Sequence, residues 1–447
     1  MDSGLLTDHY QFPVRDPRQV RTVCDTTSPL LPGDQAALHE DLSRVQGGPR
    51  FDRIERRIRD ATGAHYAREL VTGHSGSGKS TELLRLVSQL RIPKLGKAFH
   101  VIYLDADEYL SRWNLRLPQI IVAILAALVR EPRLDLKSTR SATPLLGRLR
   151  KIASSLGEEI AKKIDDISGL PLFAATLKNS SELSTQFRDE ALRQRQELTD
   201  LTRELIAEVR TQLPAEIADL VFVIDNLEKI PEQELAGGAS LYETLFVHDL
   251  PSLDLPAHIV ITYPISINYT SSELARAFPG GIRTTLPMVS ITTRPDDGPR
   301  HAVREGLDAL IRLVGRRIDL ELFADVETVE HVARLSGGCV KDLLRMIGEL
   351  PIVGQGEVPF TRDMADAVAN EFRNDYTRLL QGKGYVRFLP MIARTGEIPE
   401  DIDPAWKREI LLGLIVLEYN GDTWFDVHPL VQRSRSYKRA LAAQEDG

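Results

Sequence analysis

The chain has only two cysteines, Cys24 and Cys339, among its 447 residues. So low a count, with the two residues far apart, does not indicate a disulfide framework, and a reducing cytoplasm is the expected compartment. Basic charge is scarce as well: 56 lysines and arginines stand against 64 aspartates and glutamates, for a net charge of −8. No overall positive field therefore draws the protein to nucleic acid or to anionic lipid.

Long apolar runs are also missing. The longest, Ile120 to Val129, is too short to cross a bilayer and lies between Arg116 and Arg130. It predicts a buried helix and no membrane partner. With 42% hydrophobic and 27% charged residues, the chain has an ordinary composition for packed cores and the length for about two or three domains.

What the sequence does contain is a complete phosphate-binding motif. The run Gly73-His74-Ser75-Gly76-Ser77-Gly78-Lys79-Ser80, followed by Thr81, matches G-x-x-x-x-G-K-[ST] at every fixed position. Its glycines let the backbone wrap a polyphosphate with the N–H groups pointing inward. The lysine would reach the β- and γ-phosphates, and the Ser80 hydroxyl would bind Mg²⁺. Residues 73–81 are therefore expected to bind ATP with Mg²⁺.

The flanking sequence predicts a parallel α/β sheet. A short apolar strand at residues 69–72 enters the motif, and a helix over residues 82–87 leaves it with its N-terminus toward the phosphates. Further strands are predicted at residues 100–105, 220–224 and 258–262, with a weaker one at 286–291 on a sheet edge because of its proline. Strands that alternate with helices indicate a parallel sheet.

A second carboxylate is needed to hold the metal. Asp225 directly follows the apolar strand 220–224, where such a residue belongs in a phosphate-loop enzyme. The alternative is an ordinary turn or helix cap. Its pairing with Lys79 favours the metal site.

The rest of the chain is mostly helical. Residues 131–215 carry two strong helical patterns, which predict a helical insertion whose apolar stripes pack on the core or serve self-association. Helices then continue to about residue 350. Two apolar runs at 414–419 and 423–427 flank Asn420-Gly421-Asp422, which predicts a hairpin. A helix before this hairpin suggests a winged-helix-like module.

Taken in order, these motifs resemble a P-loop ATPase of the AAA+ and STAND group. The resemblance covers about residues 35–350. It rests on the phosphate loop, on Thr262 and on two further runs, Asp225-Asn226-Leu227-Glu228-Lys229-Ile230 and Ser336-Gly337-Gly338-Cys339-Val340-Lys341. The first of these runs is similar to the Asp-Asp-Leu-Asp pattern of KAP-type ATPases. It implies a parallel-sheet P-loop NTPase core with the helical insertion, a helical lid and the C-terminal winged-helix-like module. The implied domains are an irregular N-terminal arm at 1–34, the core at 35–295, the lid at 296–352 and the module at 353–447.

The resemblance also implies roles for single residues. Thr262 takes the place of the first sensor of the γ-phosphate, or is a buried strand residue. Lys341 takes the place of a second sensor in the lid, where relatives carry an arginine, or is a solvated lysine. Asn226 stands where relatives have the catalytic glutamate, so a base role passes to Glu228, which is otherwise a solvated helix residue. Slow hydrolysis would follow.

A neighbouring subunit would supply an arginine finger, and the sequence does not choose among its candidates, which are Arg188, Arg193, Arg294, Arg300, Arg304, Arg316 and Arg317.

The resemblance implies an ATP-driven switch that forms homo-oligomers and contacts a protein partner in signalling or bacterial defence. Two alternatives stay open: a nucleic-acid-linked AAA+ motor or loader, and a nucleotide-binding scaffold without turnover. Charge disfavours DNA, since residues 371–447 have 11 lysines and arginines against 12 aspartates and glutamates. The basic cluster near the C-terminus, at residues 433–439, is the exception.

Overall fold

The computed structural model describes residues 5–61, 65–94, 96–113, 115–235, 238–278, 281–295, 300–419 and 423–445. Packing divides the chain into two compact units. The first unit contains residues 1–50, 73–85 and 285–447, and the second contains residues 51–72 and 86–284. The phosphate loop thus groups with the C-terminal part of the chain, whereas most of the sheet lies in the second unit.

Fourteen helices precede residue 280 in the described chain: α1 Leu6–His9, α2 Pro17–Val23, α3 Pro32–Leu38, α4 Arg50–Asp60, α5 Lys79–Arg91, α6 Ala106–Tyr109, α7 Leu117–Val129, α8 Ala142–Ser154, α9 Glu158–Ala161, α10 Leu170–Asn179, α11 Ser181–Arg193, α12 Arg195–Thr211, α13 Ile267–Thr270 and α14 Leu274–Ala277. Those after it are α15 Arg304–Gly315, α16 Val326–Leu335, α17 Val340–Val353, α18 Arg362–Leu380, α19 Leu389–Thr395, α20 Pro404–Leu412, α21 Pro429–Gln432 and α22 Arg435–Glu445. The strands are β1 Arg68–Thr72, β2 Ala98–Asp105, β3 Ile217–Asp225, β4 His258–Thr262, β5 Ile282–Thr285, β6 Val416–Tyr419 and β7 Trp424–Val427.

A five-stranded sheet in the order β2-β3-β4-β1-β5 forms the centre of the second unit. The pairings β2–β3, β3–β4 and β4–β1 are all parallel. As predicted for an apolar run of β-branched residues, β3 is an interior strand, and its residues 220–225 are buried. Parallel neighbours end at one edge, so the carboxyl ends of β1, β2, β3 and β4 meet there.

Helix α7 packs on β2, and the predicted helical insertion packs against α7 and forms much of the core of the second unit. Helix α7 is buried along almost its whole length; α10, α11 and α12 pack against it, and α8 packs on α11 and α12. Leu149, Ile152 and Leu198 of the apolar stripes are fully buried, and Leu201 packs partly buried against the same core. The stripes therefore serve the core.

The first unit is built around helices α15 to α18 and a small antiparallel sheet. Helix α17 packs against both α2 and α18, and β6 pairs with β7 with Tyr419 opposite Trp424. This confirms the two strands of the hairpin that the sequence predicts, while its turn, at residues 420–422, lies outside the described residues.

Two segments differ from the sequence expectation. Residues 286–291 are not a strand; the edge strand is β5, directly before them. Pro287 has no N–H for a ladder, and the amides of Met288, Val289 and Ser290 are bonded instead to Glu418 O, Gly338 O and Val45 O. The N-terminal segment, expected to be irregular, contains helices α1 to α3, and Pro17 and Pro32 are the first residues of α2 and α3.

Both cysteines are free and buried. Among the helices that the structure describes, none combines the length and the apolar character that a membrane crossing requires.

Candidate nucleotide-binding site

The phosphate loop runs from Gly73 to Ser80, between β1 and α5, as the motif predicts. Two glycines are required by close contacts within the first unit. A Cβ on Gly73 would lie 2.2 Å from the backbone oxygen of Leu286, and one on Gly76, where φ is +85°, would lie 2.5 Å from Lys341 Cβ. Neither position accepts a side chain, so the loop backbone is held at a fixed depth.

Lys79 is folded into the loop that it follows. Its side chain is 5% exposed, and its Nζ donates hydrogen bonds of 2.8 Å to Gly73 O and 3.0 Å to His74 O. Ser77 Oγ is buried and has no hydrogen-bond partner among the described residues. The Lys79 ammonium and the Ser77 hydroxyl can both donate to a polyphosphate, whose charged oxygens accept stronger hydrogen bonds than carbonyl oxygens do.

Gln46 and Thr81 connect the loop and the start of α5 to neighbouring segments. Gln46, 3% exposed, donates through Nε2 to Ser77 O at 3.0 Å and to Pro287 O at 2.9 Å. Thr81 Oγ1 accepts a hydrogen bond from Leu30 N at 3.2 Å. The Thr81 hydroxyl thus anchors the N-terminal segment, and its predicted part in nucleotide binding stays a prediction. Ser80, the predicted ligand of Mg²⁺, lies half-buried at the second position of α5.

His74 joins the loop to the C-terminal module. Its side chain is 1% exposed. Nδ1 lies 3.0 Å from Leu411 O, near the end of α20, and Nε2 accepts a 2.8 Å hydrogen bond from the Glu418 amide of β6. Because Leu411 O only accepts and the Glu418 N–H only donates, the ring is neutral, with its proton on Nδ1. Burial lowers the pKa of His74 to about 3, helped by the nearby charge of Lys79.

The lid reaches the same loop at its N-terminal end. Lys341, on the first turn of α17, donates through its backbone N–H to Gly76 O at 3.3 Å, and its Cβ packs on Gly76. Cys339 Sγ lies 3.9 Å from Ser75 O. Lys341 therefore contacts the loop through its backbone. Its side chain is half-buried, and its role as a second sensor of the γ-phosphate stays a prediction.

Asp225 ends β3 at the carboxyl edge of the sheet, in the second unit. Its side chain is fully buried; Oδ2 accepts a 2.7 Å hydrogen bond from the Tyr103 hydroxyl and Oδ1 one of 2.7 Å from Asn226 N. Burial raises the pKa of Tyr103 well above its usual range, and the charge of Asp225 adds to the shift, so the hydroxyl remains a donor. An oriented carboxylate of this kind is a hard oxygen ligand suited to Mg²⁺.

Thr262 ends β4, whose residues Val260 and Ile261 pair with Val223 and Ile224 of β3. Its hydroxyl accepts a hydrogen bond from Leu227 N at 3.1 Å and lies 3.5 Å from Ile224 O. The side chain is fully buried. In this structure Thr262 ties the ends of β3 and β4 together, and its role as a sensor remains a prediction.

Asn226 follows Asp225 with a left-handed backbone, φ 67°. Its Nδ2 donates a 2.8 Å hydrogen bond to Oδ1 of Asp105, the last residue of β2. Glu228, the base suggested by the sequence, lies half-exposed in the 3₁₀ turn Leu227–Lys229. The sequence placed a carboxylate at the end of β2 but gave no sign that Asn226 would bind it, because that contact depends on strand register.

Every candidate for an arginine finger already has a partner within its own chain. The pairs are Arg188 with Asp189, Arg193 with Glu190, Arg294 with Glu397, Arg300 with Asp426, Arg304 with Glu330, Arg316 with Glu40, and Arg317 with Leu38 O. Arg317 is only 8% exposed. These contacts do not single out a finger, but they make Arg317 the least suited to reach another subunit.

No protein-family model matches the chain, and no curated protein matches it. Among solved structures, it is similar to the Walker-type ATPase PABY2304 of Pyrococcus abyssi, with 15% identity over 92% of this chain and 99% of that chain, at a TM-score of 0.43. It is similar to the ORC1 protein of Aeropyrum pernix in complex with DNA, with 12% identity over 95% and 96% of the two chains, at a TM-score of 0.39. Drosophila ORC bound to DNA is similar at 14% identity over 98% and 96%, with a TM-score of 0.39.

Function must therefore be argued from the residues of this chain. The parallel pairings of the sheet and the glycine-rich loop that directly follows β1 are those of an α/β P-loop NTPase fold, here with a C-terminal module.

Proposed function

We propose that the chain binds ATP with Mg²⁺, hydrolyses the ATP slowly and acts as a nucleotide-driven switch of the AAA+ and STAND type. One observation carries this proposal: the phosphate loop that holds Lys79 is itself bonded to the C-terminal module through His74. A change in the loop on nucleotide binding would thus act directly on α20 and β6. The context in signalling or bacterial defence, the homo-oligomer and the protein partner rest on the family resemblance alone.

The residues fit the group that they would hold. Lys79 would move from Gly73 O and His74 O to the β- and γ-phosphates, and Ser77 Oγ is free to donate. Ser80 and Asp225 would hold Mg²⁺, which neutralises charge on the phosphates when bound. Thr262 and Lys341 would sense the γ-phosphate. Hydrolysis also needs a proton acceptor, which Asn226 cannot be.

ATP binding tests the proposal most directly. Lys79→Ala removes the one motif cation and should weaken ATP affinity at least tenfold to a hundredfold, given that charged hydrogen bonds contribute about 1.5–3 kcal/mol each. Isothermal titration of the wild type, this variant and Lys151→Ala, which removes an exposed lysine of α8, measures the effect. Equal affinity in a folded Lys79→Ala protein would refute the assignment.

The switch has its own readout. Hydrogen exchange of the Glu418 and Leu430 amides, with and without ATP, should show changed protection in β6 and α21, because His74 bonds Glu418 and β7 leads into α21. Bound ATP with unchanged exchange throughout residues 404–445 would instead support the scaffold alternative.

A second candidate is a nucleic-acid-linked ATPase, and one observation favours it. Arg435, Lys438 and Arg439 are exposed at helical spacing on α22, and the part of the chain that is described offers them no carboxylate. Three cations on one face can contact phosphates despite the negative net charge. The helices α19 and α20 ahead of the β6–β7 pair also have the order of a winged helix.

Turnover with and without duplex DNA separates the two functions. For a DNA-linked ATPase, DNA should stimulate turnover, and changing the three α22 cations to glutamine should lower the slope of log affinity against log salt by about 2–3. The control changes three exposed cations elsewhere, Arg53, Arg56 and Lys151. No stimulation and no measurable DNA binding would leave the switch.

A further inference from the structure

The end of β2 carries a carboxylate that the phosphate-loop motifs do not assign. In the parallel pairing of β2 with β3, Asp105 lies directly opposite Asp225, the predicted metal ligand. Both residues end their strands, so both side chains stand at the carboxyl edge of the sheet. The Tyr103 hydroxyl, also on β2, donates to Asp225 Oδ2 at 2.7 Å, and the negative charges of Asp225, Asp105 and Glu228 all help to raise its pKa.

Asn226 links the two strand ends. Only the NH₂ group of its amide can donate to a carboxylate, and it donates from Nδ2 to Asp105 Oδ1 at 2.8 Å. The other end of the amide, Oδ1, is buried and has no hydrogen-bond partner within the described part of the chain, on a residue that is 4% exposed. A buried acceptor left open in this way calls for a donor that the protein does not supply, and water is the smallest one.

The hydrogen bonds of Asp105 leave one of its oxygens available. Oδ1 accepts from Asn226 Nδ2 and from the Asp107 amide at 2.8 Å, the second bond capping α6. Oδ2 receives no hydrogen bond from any residue that the structure describes, and the side chain is half-buried. Asp105 is therefore held in a fixed orientation with an unused basic oxygen.

We infer that Asp105 is the general base of ATP hydrolysis and that Asn226 is its positioning residue, an inference that rests on the proposed ATPase function. The Asn226 Oδ1 accepts one hydrogen bond from a water molecule, and Asp105 Oδ2 takes the other proton of that water. The water oxygen forms a bond to the γ-phosphorus, the bond from that phosphorus to the bridging oxygen breaks, and the electron pair leaves with ADP. The proton then passes from Asp105 to solvent.

This assignment explains why an asparagine can stand where relatives carry a glutamate. The base has moved one strand across the sheet, to β2, and the residue after the metal ligand now orients it. Glu228 lies beyond Asn226, on the 3₁₀ turn Leu227–Lys229.

Asp105→Asn is a sharp test because asparagine keeps both structural contacts. Its Oδ1 can cap α6 and accept from Asn226 Nδ2, since asparagine caps helices as well as aspartate does, but it cannot accept a proton. ATP affinity should stay within about twofold, while kcat should fall by about 10²–10⁴, the range of general base catalysis. Asp166→Asn, which also replaces a capping aspartate, that of the 3₁₀ turn Ile167–Gly169, is the matched control and should leave kcat unchanged.

Two more variants separate a base from a structural residue. Asp105→Glu should recover part of the lost kcat, because it restores a carboxylate at the end of β2. Asn226→Gly keeps the left-handed backbone and removes the amide; it should lower kcat about tenfold with KM unchanged.

A wild-type kcat in folded Asp105→Asn would overturn the inference. So would a loss of kcat in Glu228→Gln that Asp105→Asn does not show. If Asp105→Asn failed to fold, an unchanged kcat in Asn226→Gly would overturn it instead. If the wild type failed to bind ATP, the proposed function itself would be refuted. If it bound and hydrolysed ATP but the variants kept the wild-type kcat, only the role given to Asp105 and Asn226 would be refuted.

Discussion

Replacement of His74 by phenylalanine should loosen the C-terminal module at one identifiable amide. Phenylalanine fills the space of the buried ring but offers neither the donor for Leu411 O nor the acceptor for Glu418 N–H. A buried polar group that loses its partner costs about 1–3 kcal/mol. Glu418 N–H should therefore exchange with solvent about 5-fold to 150-fold faster in the variant at pH 7.5.

The stabilisation that His74 gives to the module should also depend on pH, which provides a second test. His74 stays neutral in the folded protein, where burial lowers its pKa to about 3, but takes up a proton near pH 6.5 when the module opens. The opened state thus binds more protons below pH 6.5, so the stabilisation from His74 is full above that pH and is lost as the pH falls toward 3. At pH 5 the loss amounts to about 2 kcal/mol, or about 30-fold in exchange.

Hydrogen exchange of the Glu418 amide between pH 7.5 and 5, corrected for intrinsic rates, measures both effects. The difference between the wild type and His74→Phe cancels other groups that titrate in this range, and His301→Phe, at an exposed histidine, is the control. Equal protection at pH 7.5, or equal pH slopes for the two proteins, would refute the role given to His74.

The remaining predictions concern the metal, the lid and assembly. Asp225→Asn should lower Mg²⁺-dependent turnover about 100-fold or more while circular dichroism stays unchanged, since one charged metal ligand is lost. Gly76→Ala should raise amide exchange at Lys341, because the added Cβ would lie 2.5 Å from Lys341 Cβ; unchanged exchange would contradict that contact. If subunits complete each other's sites, turnover per subunit and the mass from light scattering should rise with protein concentration and ATP, and a strict monomer would exclude it.

Local patterns were enough to predict strands β1 to β4, β6 and β7 and the motif, but not β5. The run at 220–224 is apolar and β-branched, and the structure makes it an interior strand; the glycine spacing of residues 73–80 predicts a loop between a strand and a helix, which is what forms. Residues 286–291 show the limit. They are apolar enough for a strand, yet their amides bond to Val45, Gly338 and Glu418, which lie far away in sequence.

The supporting contacts of the site could not be predicted for the same reason. His74 occupies a position that the motif leaves open to any residue, and its partners lie 337 and 344 residues further along the chain. The bond between Asn226 and Asp105 depends on the register of β2 against β3, across 121 residues. The sequence is enough to predict the chemistry of Lys79 and Asp225, whereas the residues that position them became visible only in the fold.

The bonds of residue 74 also set a limit on how strongly ATP can act on the module. Its carbonyl accepts from Lys79 Nζ, while its side chain holds α20 and β6, so phosphates that draw Lys79 away act on the residue that anchors the module. A ligand shifts an equilibrium only by its difference in affinity for the two states. If ATP binding breaks the His74 contacts, binding and release are reciprocal, and His74→Phe should bind ATP more tightly by no more than the 5-fold to 150-fold that those contacts are worth. If ATP leaves them intact, the affinity of the variant should equal that of the wild type, and the signal must pass instead through Gly76 and the lid.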